Sequence, residues 1–407
     1  MPDAGGGPRR IDVAAERAAT PGCESVVHLN NAGAALPTAA TVQAEVDHLW
    51  LEARIGGYEA AAQVADHLAA VRAEAARLVG AADDEVALTV SDTQGWARAL
   101  FGFALGGGIG PGDRILADRI SYDSHYIALL QVAEHWGARL EVVPSEPDGS
   151  IDLDSLQSAL SAGRVSLCSV THVGTHRGLV NPVEEVGAAC RAAGVPYFLD
   201  ACQSVGQMPV DVERTGCDVL TTTGRKWLRG PRGTGFLYVR RSTAERMRPP
   251  GAGGDGAVWL DAERVEFRPG AARFAEFEVP VAAQLALGVA LRHTASLGVA
   301  AIEERVAELA GWLRRALAAV DGVTVHDAGR RLCGIVAFTV DEVPADRVKS
   351  EALEAGVNVS VSEAAAARLD MTDPRPEATV RASPHYYNTE DDLSALVGVV
   401  REAAHRR

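Results

Sequence analysis

Lysine is almost missing from this chain. Its 407 residues carry 39 basic side chains, of which only two are lysines, Lys226 and Lys349, against 54 acidic ones, for a formal charge of −15. Positive charge is both scarce and scattered, which argues against a nucleic-acid backbone or an anionic membrane surface as the main partner. Small molecules are the expected ligands. Long apolar runs are also missing: no window approaches the roughly 18 uninterrupted apolar residues of a membrane span. The first ten residues, Met1 to Arg10, lack the apolar stretch of a secretion signal, so a cytoplasmic protein is expected. Paired cysteines are absent too. Cys23, Cys168, Cys190, Cys202, Cys217 and Cys333 show no Cys-x-x-Cys spacing, so neither a disulfide framework nor a metal site is expected.

What is present is the make-up of an enzyme-sized α/β chain, 47% apolar and 23% charged. A loose arm is expected over residues 1–25, with a first strand at Ser25–Leu29. A helical stretch over 38–79, interrupted at Gly56-Gly57-Tyr58, follows. Strand-like and helix-like segments then alternate, which predicts a parallel sheet. The strand candidates are Glu85–Val90, Arg114–Ala117, Leu140–Val143, Ser166–Val170, Pro196–Asp200, Val219–Thr222 and Gly235–Val239. Several are short apolar runs bounded by turn signals, as strands buried on both faces should be. After about residue 280 come long helices at Val281–Ser296 and Val299–Val320, strands at Val323–Val325 and Gly334–Val340, and a closing helix near Glu390–Ala404. The expected division is a large unit over 26–280 and a smaller α+β unit over 281–407.

Ligands bind in open α/β sheets at the carboxyl ends of strands. Asp200 closes one strand, Gln203 follows three residues later, and Lys226 comes just after Val219–Thr223. An acid can hold a pyridinium nitrogen protonated, an amide can bond a phenolic oxygen, and a lysine can reach an aldehyde; together these are what pyridoxal phosphate requires. Taken singly, each residue is more often a cap, a solvated amide or a surface charge. The lysine count changes that balance, because arginine, permanently protonated, cannot form a Schiff base. Lys349 needs no such explanation, since Ala345–Leu353 reads as a surface helix.

The runs Leu199–Gly206, Asp218–Leu228 and Gly230–Val239 resemble the class V aminotransferase and cysteine desulfurase-like family. The likeness extends to Leu29-Asn30-Asn31-Ala32-Gly33 and to Val380–Glu390, so it spans about residues 25 to 405. It implies a fold type I enzyme, with a mostly parallel seven-stranded sheet in the large domain. Lys226 would be the Schiff-base lysine and the acid/base at Cα, Asp200 the partner of the ring nitrogen, and Gln203 the donor to the phenolic oxygen. Arg381 would clamp the substrate carboxylate, with Asn31 and Thr175 also at the substrate. Tyr122, in Ser121-Tyr122-Asp123-Ser124-His125, takes the ring-stacking position where the family usually has histidine. Phosphate would be held at a helix N-terminus by Thr93 and Gln94, in a loop where Asp92 replaces a usual glycine, and by Thr223 and Arg225. Thr93 read alone is an N-cap.

Desulfurases of this family carry a catalytic cysteine shortly before the terminal arginine segment, and the matching region, Gly356 to Asp370, has none. The segments Gly56–Ala60, Gly224–Gly230 and Arg381–Asn388 are most similar to the branch of carbon–sulfur lyases acting on cysteine S-conjugates, in ergothioneine and lincosamide antibiotic biosynthesis. The resemblance thus implies β-elimination to thiol, pyruvate and ammonia. Decarboxylation coupled to oxidative deamination, transamination, and binding without catalysis are the alternatives. It further implies a homodimer in which Ala272–Glu278 reaches the partner's cofactor, and specificity loops near residues 50–60, 120–127 and 250–270.

Overall fold

The computed structural model describes residues 10–371 and 376–406; most of the expected loose arm, residues 1–9, lies outside them. Seven strands form the central sheet, in the spatial order Val86–Thr89, Gly235–Val239, Val219–Thr223, Tyr197–Asp200, Val165–Thr171, Arg114–Ala117, Arg139–Val142. Gly235–Val239 runs antiparallel to both neighbours, and every other pairing is parallel. The expected fold class is therefore the observed one. Tyr197–Asp200, Val219–Thr223 and Gly235–Val239 are buried along their whole length. Apolar cores lie on both faces: Leu199, Leu220 and Phe236 point to one, and Phe198, Val219 and Leu237 to the other.

Four antiparallel strands make the smaller sheet, in the order Val323–Val325, Val336–Val340, Ala378–Ala382, Ser360–Glu363. Helices Val299–Ala318 and Glu390–His405 pack on it. A capping box between Thr389 and Asp392 starts the second of these. Two elements cross the expected division at 280. The first strand, Val27–His28, pairs parallel with Val357–Asn358 of the C-terminal part. Helix Val281–Leu297 packs instead against Ala39–Ile55 and Ala65–Val79 of the large part.

The long N-terminal helix breaks where glycine predicts, at Gly56, whose φ of 98° is open to few other residues. Residues 250–270, expected as loop, contain a hairpin of Ala257–Asp261 and Arg264–Phe267. Its apolar side chains stand in solvent, so no buried face marks it in the sequence; Trp259 is 79% exposed. Among the described residues no single helix is long and apolar enough to cross a membrane.

Candidate active site

Lys226 sits in a tight loop that leaves the end of Val219–Thr223. Gly224 N–H donates to Thr234 O at 2.9 Å, and a Cβ on Gly224 would lie 2.2 Å from Thr234 Oγ1, so only glycine fits. From the other side, the Trp227 indole N–H donates to Gln203 Oε1 at 2.8 Å and His385 Nε2 donates to Trp227 O at 3.1 Å. Buried Arg229 pins the end of the loop. It donates to Leu36 O and the Tyr386 hydroxyl at 2.8 and 2.7 Å, faces Glu16 at 3.6 Å, and lies over the Tyr387 ring.

This scaffold buries the Lys226 side chain, 7% exposed, without a carboxylate in ion-pair reach among the described residues. Its Nζ lies 3.3 Å from Cys202 Sγ and 5.9 Å from the centre of the Tyr122 ring. The structure thus brings Tyr122 and Lys226 together, as a ring-stacking role requires. Cys202 is not a poised nucleophile, since burial, with Asp92 close by, raises its thiol pKa far above the ordinary value.

Asp200 is buried at the end of its strand, and its Oδ1 accepts from Cys202 N at 2.9 Å. Its other oxygen, Oδ2, lies 3.2 Å from His125 Nδ1, and His125 Nε2 lies 2.9 Å from Asp92 Oδ2. These are ion-pair contacts set off the straight hydrogen-bond direction. Burial pulls the imidazole pKa down, but Asp92 and Asp200 outweigh it and raise it to about 10, so His125 is a cation at neutral pH. The sequence reading missed His125, because nothing in its neighbourhood distinguishes it; Asp92 was legible only as a departure from glycine.

Gln203 has a fixed orientation. Trp227 N–H can only donate, so the amide oxygen must face it. The amide nitrogen then donates to Ala32 O at 3.1 Å and to Thr175 Oγ1 at 2.9 Å. Both amide hydrogens therefore have protein acceptors here, and serving a phenolic oxygen would take one of them from Ala32 or Thr175.

Arg381 is 6% exposed on the strand Ala378–Ala382. It donates to Thr175 O at 2.9 Å and Asn30 Oδ1 at 3.2 Å, while its Nε has no partner. Burial and neighbouring Arg225 lower its pKa to about 10, which leaves it charged at neutral pH. Asn31 does not join it. Its amide donates to Ser383 O and His28 O, and its oxygen accepts from the Tyr387 hydroxyl, so the side chain expected at the substrate instead ties two chain segments together. Its neighbour Asn30 is the residue that touches the clamp.

The phosphate end also differs from expectation. Helix Asp92–Phe103 is capped by Ser91, whose hydroxyl accepts from Gln94 N, and not by Thr93, which is exposed. The Gln94 amide donates to both carboxylate oxygens of Glu276, at 3.1 and 2.8 Å. The Thr223 hydroxyl donates to Thr234 O at 3.2 Å. Arg225 donates to Gly33 O at 3.0 Å and has no acidic partner among the described residues.

Pyridoxal phosphate fits this residue set. A buried amine and two arginines without acids, one of them with an orphaned Nε, are costly unless anions and a carbonyl group complete them. Asp200 at the adjacent strand end meets the need of a ring nitrogen.

Comparisons with known proteins agree. The family model for Aminotransferase class-V matches residues 27–396. A probable hercynylcysteine sulfoxide lyase of Mycobacterium tuberculosis is 32% identical over 375 residues, covering 91% of this chain and 88% of that protein. A probable cysteine desulfurase of Mycobacterium leprae is 31% identical over 409 residues, covering 96% of each. Among solved structures, the apo cysteine desulfurase of Thermococcus onnurineus superposes with a TM-score of 0.90 at 23% identity, covering 99% of this chain and all of the other. The chain belongs to the class V aminotransferase family and is a pyridoxal phosphate-dependent enzyme.

Proposed function

We propose that the protein is a carbon–sulfur β-lyase that cleaves a cysteine S-conjugate to a thiol, pyruvate and ammonia. The observation that carries this reading is the lack of a cysteine in the segment where desulfurases of the family carry theirs. Gly356–Asp370 contains no cysteine, Cys202 lies buried under the lysine, and Cys333 is buried with its thiol pKa raised to about 12. A desulfurase that hands sulfur to its own cysteine needs an accessible thiolate; a β-lyase releases the sulfur with its substituent. The relative named as a sulfoxide lyase supports the same reading.

Bound pyridoxal phosphate would supply an electron sink for the charge left at Cα. Asp200 would hold the proton on the ring nitrogen, Tyr122 would cover the ring, and Arg225 would face the phosphate. Arg381 would take the substrate carboxylate in place of its present backbone and Asn30 contacts. With the carboxylate fixed, the Cα–H bond faces the Lys226 amine, which removes the proton. The C–S bond then breaks with its electron pair on sulfur, the thiolate takes up a proton, and water releases pyruvate and ammonia.

A homodimer belongs to this reading. Residues 272–276 are held by their own subunit, since Arg98 donates to Phe274 O at 2.6 Å and contacts Glu276. Exposed Phe277 and Glu278 are what remains to reach a partner. All six cysteines are free thiols, in keeping with a reducing compartment such as the cytoplasm. Incubation with an S-alkyl or S-glycosyl cysteine tests the function: thiol and pyruvate in equal amounts are expected. Peroxide and an aldehyde without pyruvate, or cysteine-bound persulfide, would overturn it.

A further inference from the structure

Asp200 is one of three charges in a row. His125 lies between Asp200 and Asp92, at 3.2 Å and 2.9 Å, and the relative exposures are 4% for Asp200, 1% for His125 and 5% for Asp92. Its ring stacks on Trp96 with centroids 4.2 Å apart and planes within 9°, and the Tyr122 ring meets it edge-on at 5.7 Å. The row is therefore locked from both sides. Around it, Thr221 and Lys226 favour the charged form of Asp92, and Cys202 N–H donates to Asp200 Oδ1.

Charge counting explains why Asp92 accompanies His125. A lone Asp200 carries −1, which complements a protonated ring nitrogen. A cationic His125 beside it would cancel that charge and weaken its hold on the ring proton. The second carboxylate, Asp92, restores the total to −1. Without His125, in turn, two carboxylates within 4.8 Å of one another would be buried together.

We propose that Asp92 and His125 are a coupled positioning pair for Asp200: His125 fixes the carboxylate that faces the cofactor ring, and Asp92 offsets the charge that His125 brings. The pair also accounts for the aspartate that stands in place of the family's usual glycine. This inference rests on the pyridoxal phosphate reading of the site.

The test is the pH titration of the bound cofactor's visible absorption in the reconstituted enzyme, for wild type, Asp92→Asn, His125→Gln and the double variant. Losing a negative charge moves the titration to lower pH in Asp92→Asn; losing a positive one moves it to higher pH in His125→Gln. The double variant, with the charge back at −1, returns toward wild type and retains cofactor better than His125→Gln. If His125→Gln does not fold, a double variant that does fold shows the coupling, and the Asp92→Asn shift is read alone. Shifts of the same sign, unshifted titrations in all variants, or a double variant worse than either single would overturn the proposal. A wild type that takes up no pyridoxal phosphate would instead overturn the cofactor reading, and the proposal with it.

Discussion

Two buried arginines, Arg229 at the end of the lysine loop and Arg381 on the strand Ala378–Ala382, differ in what surrounds them. Arg229 is saturated: a backbone carbonyl, two hydroxyls, the Glu16 carboxylate and two tyrosine rings take up its guanidinium. Arg381 has one carbonyl, one amide oxygen, an orphaned Nε and no acid among the described residues. A protein gains nothing in stability by burying an incomplete cation. Saturation marks a structural arginine, and incompleteness marks a place kept for a ligand.

The difference predicts how each region fails. Lys226→Ala has the largest expected effect on activity: turnover falls at least about 10³-fold, because both the covalent anchor and the base at Cα are lost. The fold should survive, since the amine has no ion-pair partner to leave behind. Arg229→Met should act on folding, lowering stability by about 3–5 kcal/mol in denaturant unfolding, as the buried Leu36 carbonyl and the Tyr386 and Thr20 hydroxyls lose their donor and Glu16 is left with His293 alone. Arg381→Gln should do the reverse. We expect about a 30- to 1,000-fold loss in kcat/KM, with stability changed by less than about 1 kcal/mol. If Arg381→Gln unfolds the protein while Arg229→Met merely slows turnover, the comparison fails.

A buried base without a hydrogen-bond partner extends the contrast, since burial outweighs the pull of nearby Asp370. His176 is 3% exposed, both ring nitrogens lack partners, and burial lowers its pKa to about 4. Its folded value lies below its unfolded one, near 6.5. The stability that comes from keeping it neutral is complete above pH 6.5 and lost as pH falls through 4. His176→Gln should flatten this acid limb, by at most about 3 kcal/mol; an unchanged limb would show that His176 is not its source.

The sheet was legible because its strands are short apolar runs buried on both faces, and Lys226, Asp200 and Arg381 because few other residue types can do their chemistry. The exposed hairpin at 257–267 was not, since no core selects its pattern. Hydrogen-bond partners chosen by tertiary packing were also hidden. Asn31 and Gln94 are the residue types the site calls for, yet Ser383, Tyr387 and Glu276, distant in sequence, claim their amides. His125 carries no local signal at all; its meaning comes from two carboxylates 33 residues before it and 75 after.

The most direct test of the account is a crystal structure of the reconstituted enzyme with a slowly reacting cysteine S-conjugate. The account predicts the substrate carboxylate on Arg381, engaging the now unpartnered Nε, with the Cα hydrogen toward Lys226. A carboxylate bound elsewhere, with Arg381 still held by Thr175 and Asn30 and its Nε still unpartnered, would contradict it.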